Sequence, residues 1–316
     1  MKFSKDFKEI KGDASFRKFY RNTKKNSIIV FANREKFKNL LIYDSINKIL
    51  IKNNIIAPKL LSQNYKENYI EIQDLGKKTI YQIFSRNKKN QFLIFKKVIN
   101  ILNKIQLVKE KKIKNFRNKS YLIKDYKSKI LLDEAKLFTQ WYVPKKLNKK
   151  KINTFNSKFD KEIKLVLSKL NFKNDTFVHR DFHVSNLIIN SKNQIGLIDN
   201  QDALIGNKAY DLASLIDDVR YKTSNSLKEK VFKYYLKTNK KIDVDKFKND
   251  FDILSVLRNL KIIGIFMRLA ERDKKRKYLK LIPYAWKMID SRMSKNKDLN
   301  NLKLLLASNF PKFITR

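Results

Sequence analysis

Phe177-Val178-His179-Arg180-Asp181-Phe182-His183-Val184-Ser185-Asn186-Leu187-Ile188-Ile189 sets a charged and polar loop between two apolar, strand-like runs. A further apolar run, Ile195-Gly196-Leu197-Ile198, follows and closes on Asp199. The residues between, Asn190-Ser191-Lys192-Asn193-Gln194, have the composition of a turn. Two short strands joined by that turn make a hairpin. The hairpin brings Asn186 and Asp199, thirteen positions apart, to the same end of the strand pair. A carboxylate at Asp181, an amide at Asn186 and a second carboxylate at Asp199 therefore converge on one place.

These residue types at this spacing point to phosphoryl transfer. His-Arg-Asp-x-x-x-x-Asn is the pattern of a kinase catalytic loop, with the Asp as base, the Asn as a magnesium ligand and a further Asp at the next strand end. The reaction asks a protein for positioning and charge neutralisation more than for covalent chemistry. Clustered nucleotide phosphates call for magnesium, a hard cation that prefers oxygen ligands. Asp199 and the amide oxygen of Asn186 supply two. Asp181 is then the group that accepts the proton of an acceptor hydroxyl, or orients it, during attack on the terminal phosphorus. A lone His-x-Asp is common, and many buried carboxylates only cap loops or pair with Arg. Three residues on one spacing, with strands on both sides, carry more information than that.

Composition bounds the remainder. At 316 residues the chain can bury a substantial core as one large or two medium domains, and 42% hydrophobic with 12% aromatic residues is a globular composition. The absence of cysteine excludes disulfides and thiolate metal sites. Met1-Lys2-Phe3-Ser4-Lys5-Asp6-Phe7-Lys8 has no apolar signal core, and no segment approaches the roughly 18 uninterrupted apolar residues of a membrane helix. A cytoplasmic, monomeric protein with no membrane partner is expected. The net charge of +43 would attract polyanions without specificity. Yet the excess is Lys, dispersed, and accompanied by much Asn and Ile, all with A/T-rich codons. A nucleic-acid groove is more local and richer in Arg. Codon drift is the simpler account, and no specific nucleic acid is expected.

The hairpin sits within a recognisable layout. Phe16–Arg21 and Ser27–Phe31 read as strands about the polar turn Asn22–Asn26. Glu35–Lys52 carries apolar residues at Phe37, Leu40, Leu41, Ile46, Ile49 and Leu50, at helical spacing. Pro58 interrupts the pattern, Tyr69–Gln73 reads as another strand, and Asp74-Leu75-Gly76 ends it. The chain beyond is mostly helical apart from the catalytic hairpin. Asn148–Lys158 is either an exposed linker or the solvated start of a helix. The expected fold class is α+β and bilobal: a small β-rich N-lobe over residues 1–74 binding nucleotide, and a larger, mainly helical C-lobe over 75–316 with the catalytic β-hairpin, metal and acceptor site. Gly12-Asp13-Ala14-Ser15 is then the turn before a strand, where backbone N–H groups, Ser15 included, approach phosphates or simply turn the chain.

Several segments together resemble the aminoglycoside phosphotransferase/choline kinase superfamily, a protein-kinase-like fold acting on small molecules. They are Gly12-Asp13-Ala14-Ser15-Phe16-Arg17-Lys18-Phe19-Tyr20-Arg21, Gln73-Asp74-Leu75-Gly76, the His179–Asn186 loop and Leu197-Ile198-Asp199-Asn200-Gln201-Asp202-Ala203. Tyr210-Asp211-Leu212-Ala213-Ser214-Leu215, Asp218, Arg220, Arg258-Asn259-Leu260-Lys261-Ile262-Ile263-Gly264-Ile265-Phe266, Arg268 and the Tyr278–Pro283 stretch extend the likeness over nearly the whole chain. Within the superfamily it is most similar to the bacterial N-acetylmuramate/N-acetylglucosamine anomeric kinases of cell-wall sugar recycling. The resemblance implies ATP and Mg2+ as cofactors, with Asp181 catalytic and Asn186 and Asp199 on the metal. Two departures stand out. The strand Ile28-Ile29-Val30-Phe31 has no phosphate-binding Lys, and Asn200 stands where relatives usually have Phe. Arg17, next to the phosphate turn, is the substitute cation or a solvent-facing strand residue.

Backbone groups of Gln73, Asp74 and Leu75 are placed to hydrogen-bond adenine. Asp202 serves a second metal, the acceptor, or a loop cap. His183 contacts phosphate or sugar, or packs its loop. Asp218 and Arg220 orient sugar hydroxyls or a carboxylate, or form a surface ion pair. Asp211 ties its helix to the catalytic loop. Trp141 and Tyr142 stack on a sugar or belong to the core. The expected activity is ATP-dependent phosphorylation of the anomeric hydroxyl of N-acetylmuramate or N-acetylglucosamine. The alternatives are a kinase of another small alcohol (an aminoglycoside, choline or an amino acid) and a catalytically weak module binding nucleotide or RNA.

Overall fold

The computed structural model of the chain describes residues 6–10, 17–33, 38–87 and 89–314. The Gly12–Ser15 turn, and with it the phosphate role of Ser15, lies outside the described residues. The chain divides into two compact units, residues 1–124 with 176–204 and residues 125–175 with 205–316.

The first unit is built on a five-stranded antiparallel sheet. Strands β1 (Phe7–Ile10), β2 (Lys18–Asn22) and β3 (Ser27–Phe31) precede helix α1 (Asn39–Lys52), and β4 (Leu60–Asn64) and β5 (Tyr69–Gln73) follow it. The spatial order is β1-β2-β3-β5-β4. The β2–β3 turn forms where its composition predicts, because the Asn22 side-chain oxygen accepts from the N–H groups of Lys24 and Lys25 at 2.9 and 3.1 Å. Along β5 burial alternates: Ile70 and Ile72 point into the core with Val30, Ala32, Leu40 and Tyr43, while Glu71 bonds Ser27 and Ser62. Helix α1 is buried on more than its apolar face. Tyr43, Asp44, Ser45 and Asn47 are inside as well, and each such polar group needs a partner. Asp44 accepts from the N–H of Phe116 at 2.7 Å and pairs with Lys48 at 2.8 Å.

Past residue 74 the chain stays in this unit. Strand β6 (Lys78–Thr79) pairs with β10 (Leu187–Ile189), which pairs with β11 (Ile195–Leu197); α2 (Ile80–Arg86), α3 (Gln91–Gln106) and the hairpin β7 (Lys112–Lys114) and β8 (Ser120–Leu122) lie between in sequence, as does β9 (Thr176–Val178) just before the catalytic loop. Strand β6 thereby hydrogen-bonds one edge of the β10–β11 hairpin. The hairpin also docks on Ile56 and on the connector Asp74-Leu75-Gly76 that follows β5. The N–H of Leu197 donates to the carbonyl of Ile56 at 2.8 Å, and a Cβ at Gly196 would stand 2.8 Å from Leu75 Cδ1 and 3.0 Å from Ile56 Cγ2. Glycine is what permits that approach.

The second unit is helical: α4 (Ser128–Leu137), α5 (Lys149–Ser168), α6 (Ala209–Ile216), α7 (Asn225–Thr238), α8 (Val244–Glu271), α9 (Ile282–Met293) and α10 (Asn300–Asn309). Asn148 caps α5 by accepting from the N–H of Lys151 at 3.2 Å, so of the two readings of 148–158 the helix start is the one observed. Helix α4 runs into a π-turn, Phe138–Tyr142. There α8 approaches so closely that a Cβ on Gly264 would lie 2.2 Å from the carbonyl carbon of Leu137. Phe138, Tyr142, Phe155, Phe159, Trp286 and Phe310 form an aromatic cluster around this contact, and Trp286 Nε1 donates to the Tyr142 hydroxyl at 3.1 Å. Tyr142 is thus core. A buried ionic knot lies further along: Asp217 holds Lys228, Ser255 and Arg292, and Arg292 also reaches Asp252. Burial alone would raise the Asp217 carboxyl, but Arg292 and Lys228 outweigh it and hold it well below the usual range. Asp252 is pushed up to about 6 by burial and by Asp217, against the pull of Arg292 and Lys248. Among the described residues no helix is long and apolar enough to cross a membrane.

Candidate active site

The first unit assembles the catalytic loop. Leu187 pairs with Leu197 in the β10–β11 hairpin, and the N–H of Ile198 donates to the carbonyl of Asn186 at 3.1 Å. Asn186 and Asp199 are thereby brought to one strand end, as their spacing requires. The Asn186 amide nitrogen donates to the Asp181 carbonyl at 3.0 Å. That bond turns the amide oxygen to the opposite side, as an oxygen ligand would have to be. Two non-glycine residues here adopt left-handed backbone, Arg180 (φ 73°) and Asp199 (φ 64°). Such conformations cost free energy and concentrate at functional sites. Arg180 is held by its guanidinium, which donates to the Asp202 carbonyl at 3.0 Å.

Arg17 is buried, so the solvent-facing alternative for it does not hold. Its Nη2 meets Asp199 Oδ1 at 2.6 Å and its Nη1 donates to Gln201 Oε1 at 2.7 Å. The guanidinium carbon lies 5.6 Å from the Phe19 ring centre and 5.7 Å from that of Tyr43, within cation–π range. Tyr43, buried on α1, has its hydroxyl pushed up to about 12, burial outweighing the nearby Arg17. A buried guanidinium thus stands beside the second carboxylate. Gln201 continues the chain by donating to Asp202 Oδ2 at 2.7 Å.

The donor chemistry fits a magnesium ion. Among the described residues no group of three or more His, Cys, Asp or Glu could hold a metal, which disfavours an all-protein cage. One carboxylate and one amide oxygen, completed by phosphate and water, is what magnesium commonly takes. Arg17 engages Asp199 Oδ1, so Oδ2 is the oxygen that would face such an ion.

The other expected residues are placed as follows. His183 is buried within the catalytic loop, where its N–H donates to the Asp181 carbonyl at 3.0 Å. Around the connector, the N–H of Gln73 donates to Lys59 and that of Asp74 to Asn26, at 2.8 and 2.9 Å. The Asp74 carboxylate pairs with Arg21 at 2.5 Å. The backbone N–H groups of 73 and 74 are committed, which leaves carbonyls and Leu75 for a base. Asp218 and Arg220 belong to the second unit. Asp218 is buried, accepts from the N–H of Arg220 at 2.9 Å, and has its carboxyl raised by burial in spite of Arg220, Arg258 and Lys228. Asp211 is likewise buried there, in the first turn of α6. Phe19, Tyr43, Asn47 and Gln201, to which the sequence alone assigns no role, also border the site. Tyr43 and Asn47, one helical turn apart on an otherwise apolar face, were the available signal.

The sequence profile described as the phosphotransferase enzyme family matches residues 6–245. An N-acetylmuramate/N-acetylglucosamine kinase of Pseudomonas aeruginosa is 25% identical over 303 residues, 94% of this chain and 86% of that protein. A choline/ethanolamine kinase family protein from Mesorhizobium loti superposes with a TM-score of 0.64 at 9% identity, covering 96% of this chain and 92% of the other. An aminoglycoside phosphotransferase in ternary complex with streptomycin and ATP superposes with a TM-score of 0.55 at 14% identity, covering 92% and 91%.

Proposed function

We propose that this chain, which belongs to the phosphotransferase enzyme family, transfers the terminal phosphoryl group of ATP to the anomeric hydroxyl of N-acetylmuramate or N-acetylglucosamine. The observation that carries the reading is the hairpin end that brings Asn186 beside Asp199, with the Asn186 amide bonded to the Asp181 backbone. The sugar is supported by the amino-sugar kinase similar over 94% of the chain, and the nucleotide by the ATP complex of a protein sharing the fold.

Residues 1–74 hold the nucleotide, with Leu75 and the carbonyls of Gln73 and Asp74 at the base, Ser15 at the phosphates, and Arg17 supplying positive charge beside Asp199. Asn186 and Asp199 would hold magnesium, which would neutralise charge building on the phosphate oxygens. Asp181 takes the proton of the anomeric hydroxyl as its oxygen attacks the terminal phosphorus; the bond to the β-phosphate oxygen breaks, and ADP leaves with that electron pair. An anomeric hydroxyl is more acidic than an ordinary alcohol, which lightens the demand on the Asp181 carboxylate as base. His183 and Asp202 orient the acceptor.

The test is incubation with Mg-ATP and a panel of amino sugars, choline and aminoglycosides, with product identified by mass and phosphorus NMR. A sugar 1-phosphate is expected, and Asp181→Asn lowers kcat by about 10²–10⁴-fold. Phosphate on any other hydroxyl rejects the anomeric assignment. Full activity of Asp181→Asn removes the base.

A further inference from the structure

Helix α1 reaches the catalytic loop through side-chain amides that no part of the mechanism above employs. Asn47 is buried, and Asn200 and His179 are fully so. The Asp181 N–H donates to His179 Nδ1 at 3.3 Å. A ring nitrogen that accepts carries no proton, so the proton of a neutral imidazole sits on Nε2. Nε2 faces two acceptors, Asn200 Oδ1 at 2.8 Å and the Ile198 carbonyl at 3.2 Å. With its oxygen turned to His179, the Asn200 amide points its nitrogen the other way. It donates to Asn47 Oδ1 at 2.8 Å and to the Leu197 carbonyl at 3.2 Å. Asn47 in turn hydrogen-bonds Tyr43, whose ring stacks on Arg17. The sequence of donors and acceptors is consistent in one direction only, from the Asp181 backbone to α1.

We propose that Asn200 and Asn47 are positioning residues for phosphoryl transfer: through the Asn200 amide, α1 fixes His179 as its Nε2–H tautomer, and His179 fixes the backbone of Asp181. The proposal rests on the reading of Asp181 as the base. Asn200 adjoins Asp199, so one residue pair sets both the metal carboxylate and the catalytic loop. Helix α1 grips that pair twice, at Tyr43 through Arg17 and at Asn47 through Asn200. Leucine at 200 fills the space without any of the three hydrogen bonds and removes the nearer of the two acceptors facing Nε2–H. Aspartate at 200 still accepts from Nε2–H but cannot donate to Asn47 or Leu197. Its charge draws a second proton onto the imidazole, and a protonated Nδ1 no longer accepts from Asp181.

The chain has two histidines, so a nitrogen–proton correlation spectrum of its imidazoles is simple to assign, with His183→Gln identifying the pair. The unsubstituted protein is expected to show a His179 proton on Nε2 and none on Nδ1. In kinetics, Asn200→Leu is expected to lower kcat tenfold or more with KM for ATP changed less than twofold. Asn200→Asp moves the acidic limb of the kcat profile upward by about 1 pH unit or more, which loss of stability alone would not do. A His179 proton on Nδ1 in the unsubstituted protein overturns the proposal, even where an Asn200 variant does not fold. So does an Asn200→Leu enzyme with kcat within twofold of the parent. Absence of turnover in the unsubstituted protein sinks the kinase reading itself, whereas full turnover with an Nδ1–H His179 sinks only the positioning chain.

Discussion

Replacing Arg17 by methionine separates what this side chain does for the fold from what it does for the site. Arg17 is 4% exposed and its partner Asp199 is 38% exposed. Their charges attract by about 4 kcal/mol at an effective dielectric of 20, but the open side of Asp199 lets water replace most of that, leaving about 1 kcal/mol. Loss of two cation–π contacts removes about 1 kcal/mol more, and the Gln201 oxygen loses its donor at about 1–3 kcal/mol. Against these stands the desolvation of a buried guanidinium, several kcal/mol that Met does not incur, and sulfur–aromatic contact with Phe19 and Tyr43 of about 1 kcal/mol. The opposing contributions nearly cancel, so Arg17→Met changes stability by no more than about 2 kcal/mol, a Tm shift of under about 8 °C. The site fares differently, because Asp199 loses the bond that fixes its free oxygen. Outer partners of metal ligands are worth about 10–100-fold in metal affinity. Circular dichroism melts give the first quantity and Mn2+ titration by electron paramagnetic resonance the second. Mn2+ affinity within twofold of the parent, in a folded variant, refutes the argument that Arg17 orients Asp199.

Gly264→Ala is expected to destabilise, although alanine is the better helix former by about 1 kcal/mol. The new methyl would meet the backbone of Leu137 and Phe138 at 2.2–2.6 Å, and backbone cannot rotate aside, so a net loss of about 2 kcal/mol or more is expected in urea melts. A raised midpoint would contradict the close approach. For Asp252 the folded pKa of about 6 exceeds the model-peptide value of 3.8, so its favourable contribution is complete below pH 4 and is lost as pH rises through 6, by about 3 kcal/mol. Asp252→Asn should therefore gain stability relative to the parent between pH 4 and 7, and a difference independent of pH would exclude a raised carboxyl.

The parts of the fold visible in the sequence were those decided locally. The β2–β3 hairpin, β5 and the β10–β11 hairpin each follow from alternation and turn chemistry within a dozen residues, and the Asn186–Asp199 convergence follows from the last of these. Strands β1 and β4 carried no such pattern; β4 is mostly exposed along its length, an edge strand defined by its pairing with β5. The partners of the site residues were hidden for a different reason. Arg17 finds Gln201 across 184 positions and Asn200 finds Asn47 across 153, and no periodicity encodes such a pairing. The missing β3 lysine was visible as an absence. That Arg17 would stand beside Asp199, buried between two rings, became apparent only from the packing.

Trp286 sits in the aromatic cluster against Tyr142, and Trp141 lies on the adjoining π-turn. These are the only two tryptophans of the chain, and both belong to the helical unit. Tryptophan emission, excited at wavelengths where tyrosine hardly absorbs, is consequently a reporter for one half of the molecule. An unfolding curve followed at those wavelengths is blind to the sheet, to α1 and to the catalytic loop. Set beside a backbone signal on the same sample, it tells whether the halves melt in a single transition or in succession.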